Sequence, residues 1–370
     1  MPDGIGKELN LMNDKLILAV NPGSTSTKFA IARGSEMLFE RTLRHDTEEL
    51  AGFRSMTEQL PFRYRVIMDA LKNEGTKLSD IAVVVGRGGL VNPIESGVYE
   101  VNELMKKHLS EAVNGEHASN LGALLADMIV AKIPDARAYI VDPVVVDEME
   151  PVARLSGHPL ISRKSIFHAL NQKAVARIYA ESVGKEYEDM NLIVAHMGGG
   201  ISVGAHRRGR VVDVNNALNG DGPFSPERSG GLPAAQLAAL CFSGKHSHDD
   251  IKSMLAGKGG MVAYLGTNSF EEANRRAGEG DDSAAQIIEG CSYQTAKEIG
   301  AMAAVLKGEV DAIILTGGLA FDRAHVNRIT EMVGKIAPIF VYPGEDELKA
   351  LAFNGYLAAA GRVRVREYLG

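Results

Sequence analysis

The segment Ile17-Leu-Ala-Val-Asn21-Pro-Gly23-Ser24-Thr25-Ser26-Thr27-Lys28-Phe-Ala-Ile31 sets two apolar runs on either side of a short turn built from Gly, hydroxyls and one Lys. Short apolar runs bounded by turn residues predict strand, tight turn, strand. Backbone N–H groups, hydroxyls and an ammonium meet at the turn, which suits an oxyanion such as phosphate. Ser24, Ser26 and Lys28 are two residues apart, so an extended chain puts these three donors on one face. A related design returns at Leu192-Ile-Val-Ala-His196-Met-Gly198-Gly199-Gly200-Ile-Ser-Val-Gly204. Later in each half comes a second match: Asp80-Ile-Ala-Val-Val-Val-Gly86-Arg87-Gly88-Gly89-Leu90 is answered by Asp311-Ala-Ile-Ile-Leu-Thr316-Gly317-Gly318-Leu319. Glycines after strands are common in any α/β protein. Two matches in the same order predict a duplicated fold, with a nucleotide held between two similar halves.

Strand-like runs alternate with helix-like stretches, the pattern of the α/β class. The first half predicts a hairpin over Leu16–Phe39, a helix near Phe62–Glu74, a strand over Asp80–Val85, a helix over Asn120–Lys132 and a strand over Ala138–Val141. The second half predicts a helix over Lys173–Ser182 and a hairpin over Leu192–Val214. Helices over Ala234–Leu240, Asp249–Leu255 and Ala284–Leu306 and a strand over Asp311–Leu315 follow. The seam is expected between Asp142 and His168, giving domains of residues 1–155 and 156–347. A last helix over Glu345–Ala360 is expected to return residues 348–370 to the first domain. Asn215–Pro233, dense in Gly, Pro, Asn and Asp, is long for a plain connection and reads as a functional loop.

A length of 370 residues and a 45% hydrophobic content allow two ordinary cores. The formal net charge of −7 argues against nonspecific binding to nucleic acid or anionic membranes. No apolar run approaches the roughly 18 residues of a membrane helix. Met1–Lys15 lacks the apolar stretch of a signal peptide, and Met12 is a candidate second start. The expectation is a cytoplasmic protein with neither nucleic acid nor membrane as a partner. Cys241 and Cys291 sit in apolar, helical-looking contexts and are expected as buried thiols. No His/Cys group has zinc spacing, and no Gly-x-Ser-x-Gly elbow is present.

In the first hairpin Asn21 offers an amide to a phosphate or a carbonyl to a metal-bound water, and Gly23 admits close backbone approach. The string is not the Gly-x-x-x-x-Gly-Lys-Ser/Thr loop. His196 precedes Gly198, Gly199 and Gly200, a turn without bulk that either lets a phosphate lie on backbone amides or simply bends the chain. Gly317-Gly318 is likewise a floor for adenine or a plain strand-to-helix turn. Arg87 stands among glycines straight after an apolar strand, where open α/β sheets form their ligand crevices. Arg228 lies inside the long loop. A guanidinium grips carboxylate and phosphate oxygens with a planar fork, though either arginine alone also suits a surface ion pair. Asp142, at the end of the Ala138–Val141 strand, could act as a base, a substrate-orienting group, an organiser of Mg²⁺ or a cap. Asp147, Glu148 and Glu150 are expected in solvent. Of ten histidines, His117, His168 and His196 stand out by position.

The ordered strings Asn21-Pro-Gly-Ser-Thr-Ser-Thr-Lys28, Gly86-Arg-Gly-Gly-Leu90, Glu116-His-Ala-Ser-Asn-Leu-Gly122, Val141-Asp-Pro-Val-Val-Val-Asp-Glu-Met149, Ser165-Ile-Phe-His-Ala-Leu-Asn171, Ala195-His-Met-Gly-Gly-Gly200 and Pro226-Glu-Arg-Ser-Gly230 resemble the acetate and butyrate kinase family. That family is a branch of the actin-like superfamily, and the resemblance runs from Leu16 to about Leu357. It implies two actin-like (ribonuclease H-like) domains around a cleft, and reversible phosphoryl transfer from ATP to a short-chain carboxylate, giving ADP and an acyl phosphate. It assigns Arg87, with His117, to the substrate. Asp142 becomes the acidic residue near the metal, and His168 and Arg228 become stabilisers of the transition state. Asn21 and Glu347 serve Mg²⁺. Lys28, His196 with Gly198, Gly199 and Gly200, and Gly317 with Gly318 hold ATP, beside the Ser24 and Ser26 donors. Met197 followed by three glycines, and Pro143-Val-Val-Val146 after Asp142, depart from the acetate branch and favour the butyrate branch. Glu345 and Asp346 beside Glu347 leave the single metal ligand open. The family also implies a homodimer or larger homo-oligomer.

A carboxylate is already a nucleophile at neutral pH, so such a reaction needs charge control and alignment rather than a strong base. Domain closure over the nucleotide is expected to exclude water. Two other readings stay open. An actin-like kinase acting on a sugar hydroxyl would use Asp142 as base. A nucleotide-switched binding protein would hydrolyse ATP slowly and engage a protein partner.

Overall fold

The computed structural model describes residues 15–370, so the expectations for the leader and Met12 lie outside the described residues. The chain forms two compact units, one running to Val146 and joined by Asp346–Gly370, the other spanning Asp147–Glu345.

The first unit is built on a sheet of β1 (Leu16–Pro22), β2 (Ser26–Arg33), β3 (Glu36–Arg44), β4 (Ile81–Arg87), β5 (Val98–Glu100), β6 (Arg137–Val141) and a late strand, β14 (Val365–Arg366). Their order is β14-β5-β6-β4-β1-β2-β3. β1, β2 and β3 form an antiparallel meander, and β4 and β6 continue it in parallel from β1. Every residue of β1 is buried, as expected of a central strand covered on both faces. On one face Leu18, Val20, Phe29 and Ile31 pack with Ile67 and Leu71 of α1 (Leu60–Asn73) and with Leu121 and Leu125 of α3 (Asn120–Val130). α2 (Glu103–Ser110) lies between them in sequence, its first turn capped by the Asn102 side chain. The other face of the sheet takes α7 (Glu347–Ala359), which packs on β1 and β4.

The end of β4 lies almost directly on the start of α3. A Cβ on Gly86 would sit 2.1 Å from the Gly122 carbonyl oxygen, and one on Gly122 would sit 2.2 Å from that of Arg87. Backbone meets backbone here, so neither position admits a side chain. This contact fixes where Arg87 emerges from the sheet.

The second unit repeats the plan. β9 (Asn191–Met197), β10 (Ile201–Arg207) and β11 (Arg210–Val214) form an antiparallel meander. β12 (Ala312–Gly317) and β13 (Ile339–Pro343) continue it in parallel, in the order β11-β10-β9-β12-β13. α5 (Asp282–Val305) and α6 (Arg323–Val333) cover one face through Ile288, Ile299 and Ile329. α4 (Ala169–Ser182) covers the other through Val175, Ala176 and Tyr179. A small hairpin, β7 (Leu155–His158) with β8 (Ile161–Ser162), stands apart from this sheet. The two sheets therefore share one five-strand topology, the duplication that the paired motifs predict.

Some expectations need correction. α4 starts at Ala169 rather than Lys173, because Asn171, Gln172 and Lys173 are buried polar residues of its first turns, not a polar approach to it. The helices Glu103–Ser110, Phe270–Gly278 and Arg323–Val333 were not expected, although Asn102, Ser269 and Asp322 each cap one through a side-chain oxygen. Cys291 is buried, but Cys241 is exposed. The apolar helix Ala234–Cys241 buries none of its residues, since composition alone supplies no facing surface. Glu148 is not in solvent: it is buried against the Lys173 ammonium at 2.8 Å and accepts the Val211 N–H at 2.9 Å. Asp147 and Glu150 are ion-paired to Arg154 and Arg207. Ser24 lies in the bend before β2, so strand alternation places only Ser26 and Lys28 on a common face.

Candidate functional site

In the first unit the candidate groups gather at the C-terminal ends of β1, β4 and β6. Asn21 Nδ2 donates to Glu347 Oε2 at 2.6 Å. Arg87 closes the triangle, with Nη2 3.0 Å from Glu347 Oε1 and Nη1 donating to Asn21 Oδ1 at 3.3 Å. Glu347 opens α7, where the positive end of the helix dipole favours a carboxylate. Lys28 pairs with Asn21 in the hairpin register, so the two share a face, with Asn21 buried and Lys28 exposed. Asp142 follows Val141, the residue of β6 that pairs with Arg87, and so emerges at the same end of the sheet. It is 3% exposed and holds φ +37, an unusual conformation for a residue with a side chain. Its Oδ1 accepts from Ser96 Oγ at 2.6 Å and the Gly97 N–H at 2.8 Å, which orient the carboxylate. His117 precedes α3. Its Nδ1 accepts the Ser119 N–H at 3.2 Å and lies 2.7 Å from Ser119 Oγ, leaving the ring hydrogen on Nε2.

The turn after Asn21 is held from beneath by a residue that sequence reading missed. Arg63, on α1, is fully buried. It donates to the carbonyls of Ser24 at 3.1 Å and Ser26 at 2.9 Å, to Thr27 Oγ1 at 2.9 Å and to Gln59 Oε1. Burial lowers its pKa to about 10. Burial and the Arg63 charge together lower that of His45, which bonds Thr27 Oγ1. The signal was present: Arg63, Ile67 and Leu71 are four apart, so the arginine sits on the buried stripe of an amphipathic helix.

In the second unit the Gly198–Gly200 turn is the centre. The rings of His168 and His196 stack with centroids 3.7 Å apart and planes 11° apart. His196, fully buried, bonds Asn171 Oδ1 through Nδ1 at 2.7 Å and Glu345 Oε1 through Nε2 at 2.9 Å. A Cβ on Gly200 would stand 3.8 Å from His168 Cε1 and 3.9 Å from Arg228 Cγ, so both side chains flank this glycine. The long loop reaches the turn through Ser225 Oγ, which donates to the Gly199 carbonyl at 2.6 Å, and through the Glu227 N–H at 3.1 Å. Arg228 Nη1 donates to the Glu227 carbonyl at 3.2 Å. Its Nε is buried without a hydrogen-bond partner among the described residues. Gly317 ends β12 beside His196, with Thr316 and His196 in register, and exchanges two backbone hydrogen bonds with Gly344. Gly318 faces open space.

Asn21, Arg87 and Glu347 are thus in mutual contact in one unit. His168, His196, Gly198, Gly199, Gly200, Arg228 and Gly317 cluster in the other. Of the three adjacent carboxyls, Glu347 meets Asn21, Glu345 meets His196 and Asp346 lies 3.8 Å from the Lys349 ammonium, so each has its own partner. Besides Arg63, Ser96 and Asn171 were not singled out, nor were Ser202 and Gln172 behind His168. A cavity of about 670 Å³ in the first unit, lined by Ala82, Glu100, Arg137, Tyr139 and Arg366, lies at the opposite strand ends from Arg87 and Asp142. Among the described residues, no helix is long and apolar enough to cross a membrane.

Residues 154–337 match the model of the Acetokinase family. The chain is 53% identical over 352 residues to butyrate kinase 1 of Clostridium acetobutylicum, covering 95% of this chain and 99% of that one. It is 50% identical over 352 residues to a probable butyrate kinase of Listeria monocytogenes, with the same coverage of each. In three dimensions it is similar to the acetate kinase of Porphyromonas gingivalis, with a TM-score of 0.77 over 92% of this chain and 98% of that one, at 18% identity.

Proposed function

The chain belongs to the acetokinase family and is a carboxylate kinase with an actin-like fold, and on that premise we propose that it transfers the γ-phosphoryl group of ATP reversibly to butyrate or a branched analogue. The observation that carries this reading is Arg228. Its unpartnered, buried Nε and the nearby His168 flank the Gly200 turn, which brings two donors for an oxyanion to one place. A desolvated donor without a partner is costly unless a ligand supplies the acceptor.

Arg87 takes one oxygen of the acid, already aimed by Glu347 and Asn21. Neutralising that charge lets one anion approach another. His168 and Arg228 donate to the equatorial oxygens of the phosphoryl group as charge shifts during transfer, a role worth roughly 10³–10⁵ in rate for arginines in related reactions. Asp142 orients rather than takes a proton, since a carboxylate nucleophile has none to give. The Gly198–Gly200 and Gly317–Gly318 turns, with the Ser24, Ser26 and Lys28 donors, hold the nucleotide. Glu347 and the Asn21 amide oxygen make a sparse donor set, and among the described residues no three acidic, histidine or cysteine side chains gather. Such a set fits Mg²⁺ carried by ATP, which keeps its waters and its phosphate oxygens. When bound, the ion neutralises charge between the phosphates. The protein works inside the cell as a homo-oligomer.

Mixing the protein with ATP, Mg²⁺, butyrate and hydroxylamine tests the reading. Butyryl hydroxamate is the expected product, with kcat/KM peaking between propionate and isovalerate across a panel of acids. Phosphorylation of sugars but not acids, or ATP hydrolysis with no hydroxamate, would overturn it.

A further inference from the structure

We propose that Tyr187, His206, Gln172 and Ser202 form a one-way hydrogen-bond relay that fixes the tautomer of His168, so that Nδ1 accepts and Nε2 carries the hydrogen. They are positioning residues, and the proposal rests on the reading of His168 as a donor to the phosphoryl group.

The relay begins with strand geometry. Ser202, Gly204 and His206 alternate along β10 and therefore share a face, turned toward α4 and its Gln172. Ser202, His206 and Gln172 are each fully buried, so every polar atom must find its partner within the protein. A Cβ on Gly204 would stand 2.6 Å from Gln172 Oε1 and 3.2 Å from His206 Nε2. Only glycine leaves space for those two atoms to meet.

Direction follows from one obligate acceptor. The Ser202 carbonyl cannot donate, so the Gln172 atom 3.0 Å from it is the amide nitrogen. The same nitrogen lies 2.8 Å from Ser202 Oγ, so the hydroxyl accepts there. The other end of the amide is then Oε1, an acceptor, and His206 Nε2 at 3.0 Å must bring the hydrogen. Burial, reinforced by the charges of Lys173 and Arg177, lowers the His206 pKa well below its ordinary value and keeps the ring neutral. His206 Nδ1 is therefore a lone pair, and Tyr187 donates its hydroxyl to it at 2.7 Å. At the other end Ser202 Oγ accepts from Gln172 and, more weakly, from the His168 N–H at 3.4 Å. Its lone pairs are used, so its single hydrogen goes to His168 Nδ1 at 2.9 Å. The ring hydrogen of His168 is left on Nε2. Stacking on His196 fixes the plane in which that hydrogen points.

The consequence is chemical. A neutral imidazole held this way presents a donor from Nε2 and no lone pair, so His168 supports a developing oxyanion but does not remove a proton. A serine hydroxyl does the orienting at Nδ1.

Histidine ¹⁵N resonances read this directly in the intact protein, with His168 assigned by its loss in His168→Gln. The wild type is expected to show a single His168 tautomer, hydrogen on Nε2. Gln172→Leu and His206→Leu should give mixed tautomers and a kcat lower by about tenfold, a loss typical of a misdirected group, with KM for ATP within about twofold. His206→Gln, which keeps a donor near the Nε2 position, should recover most of kcat where the similarly sized Leu does not. Hydrogen on Nδ1 in the wild type, or an unchanged tautomer in both Leu variants, would overturn the relay. If either variant fails to fold, the wild-type spectrum still decides. The expected tautomer in a protein that makes no acyl phosphate would sink the proposed reaction and leave the relay standing.

Discussion

Asn21 Nδ2 donates to Glu347 Oε2 across 2.6 Å, joining residues 326 apart in the chain and tying the first hairpin to the helix that returns at the end. The other carboxylate oxygen is held by Arg87. Glu347→Gln keeps the shape but removes the charge. It is expected to raise the Mg²⁺ concentration for half-maximal rate by about tenfold or more, the scale seen when groups around a metal are changed. The loss of the ion pair should cost about 1–3 kcal/mol in urea unfolding. An unchanged Mg²⁺ titration would remove Glu347 from the metal's surroundings.

Arg87 is expected to act on the acid rather than on the nucleotide. Arg87→Ala should raise KM for butyrate by at least about tenfold, equivalent to roughly 1.4 kcal/mol of lost binding, with KM for ATP little changed. Arg87→Lys should recover stability better than affinity, because an ammonium can pair with Glu347 but lacks the planar fork. Steady-state kinetics with each substrate varied in turn checks both. An unaltered KM for the acid in Arg87→Ala would refute the assignment.

The fold was legible because its strands are short apolar runs punctuated by glycine, and because the same order of punctuation occurs twice. Asn21 and Arg87 were found because unusual residues stand at strand ends, whereas Glu347 came from the family resemblance alone. Arg63, Gln172 and Ser202 were missed for a common reason. Each looks like ordinary polar filling, and its importance lies in partners distant in sequence: Arg63 bonds the Ser24 carbonyl 39 residues away and Gln172 bonds Ser202 30 residues away. Periodicity shows which face a residue occupies but not what faces it. The same limit explains Cys241 and Glu148: the first lacked the cover its apolar helix suggested, and the second had a buried lysine that its acidic neighbourhood concealed.

Arg228 should matter for turnover and little for folding. Its backbone bridges to Ala256 and survives truncation of the side chain. Arg228→Ala is expected to melt within a few degrees of the wild type and to bind ATP normally, yet to lose on the order of 10³ or more in kcat. Calorimetric ATP titration beside hydroxamate kinetics separates these effects. Near-normal turnover would exclude the residue from the chemistry.

Arg63 should behave in the opposite way. Arg63→Met fills similar space but strips hydrogen bonds from buried Thr27 and Gln59 and from the Ser24 and Ser26 carbonyls. The expected loss is about 3 kcal/mol in urea unfolding, the size typical of a broken buried polar network. KM for ATP should rise as the Ser24–Ser26 turn loosens, while kcat at saturating ATP falls less. A variant as stable as the wild type, with unchanged KM, would show that the turn holds its shape without this support.

Glu298, on α5, supplies a pH dependence away from the candidate site residues. Burial, with the Asp221 and Asp213 carboxylates adding to it, raises its pKa from 4.5 to about 7, against a partial opposing effect of Arg163 and Lys297. In the folded chain the group is still protonated at pH 6, whereas in the unfolded chain it is already ionised. The unfolded state therefore binds fewer protons between about pH 4.5 and pH 7, and this residue's contribution to stability falls as pH rises through that window. Well above pH 7 the penalty is complete, about 3 kcal/mol. Glu298→Gln has no charge to bury. It should match the wild type near pH 4.5 and exceed it at pH 8, with the difference opening between those values in urea unfolding measured across pH. A difference that stays constant with pH would mean the carboxyl ionises as readily in the folded chain as in the unfolded one.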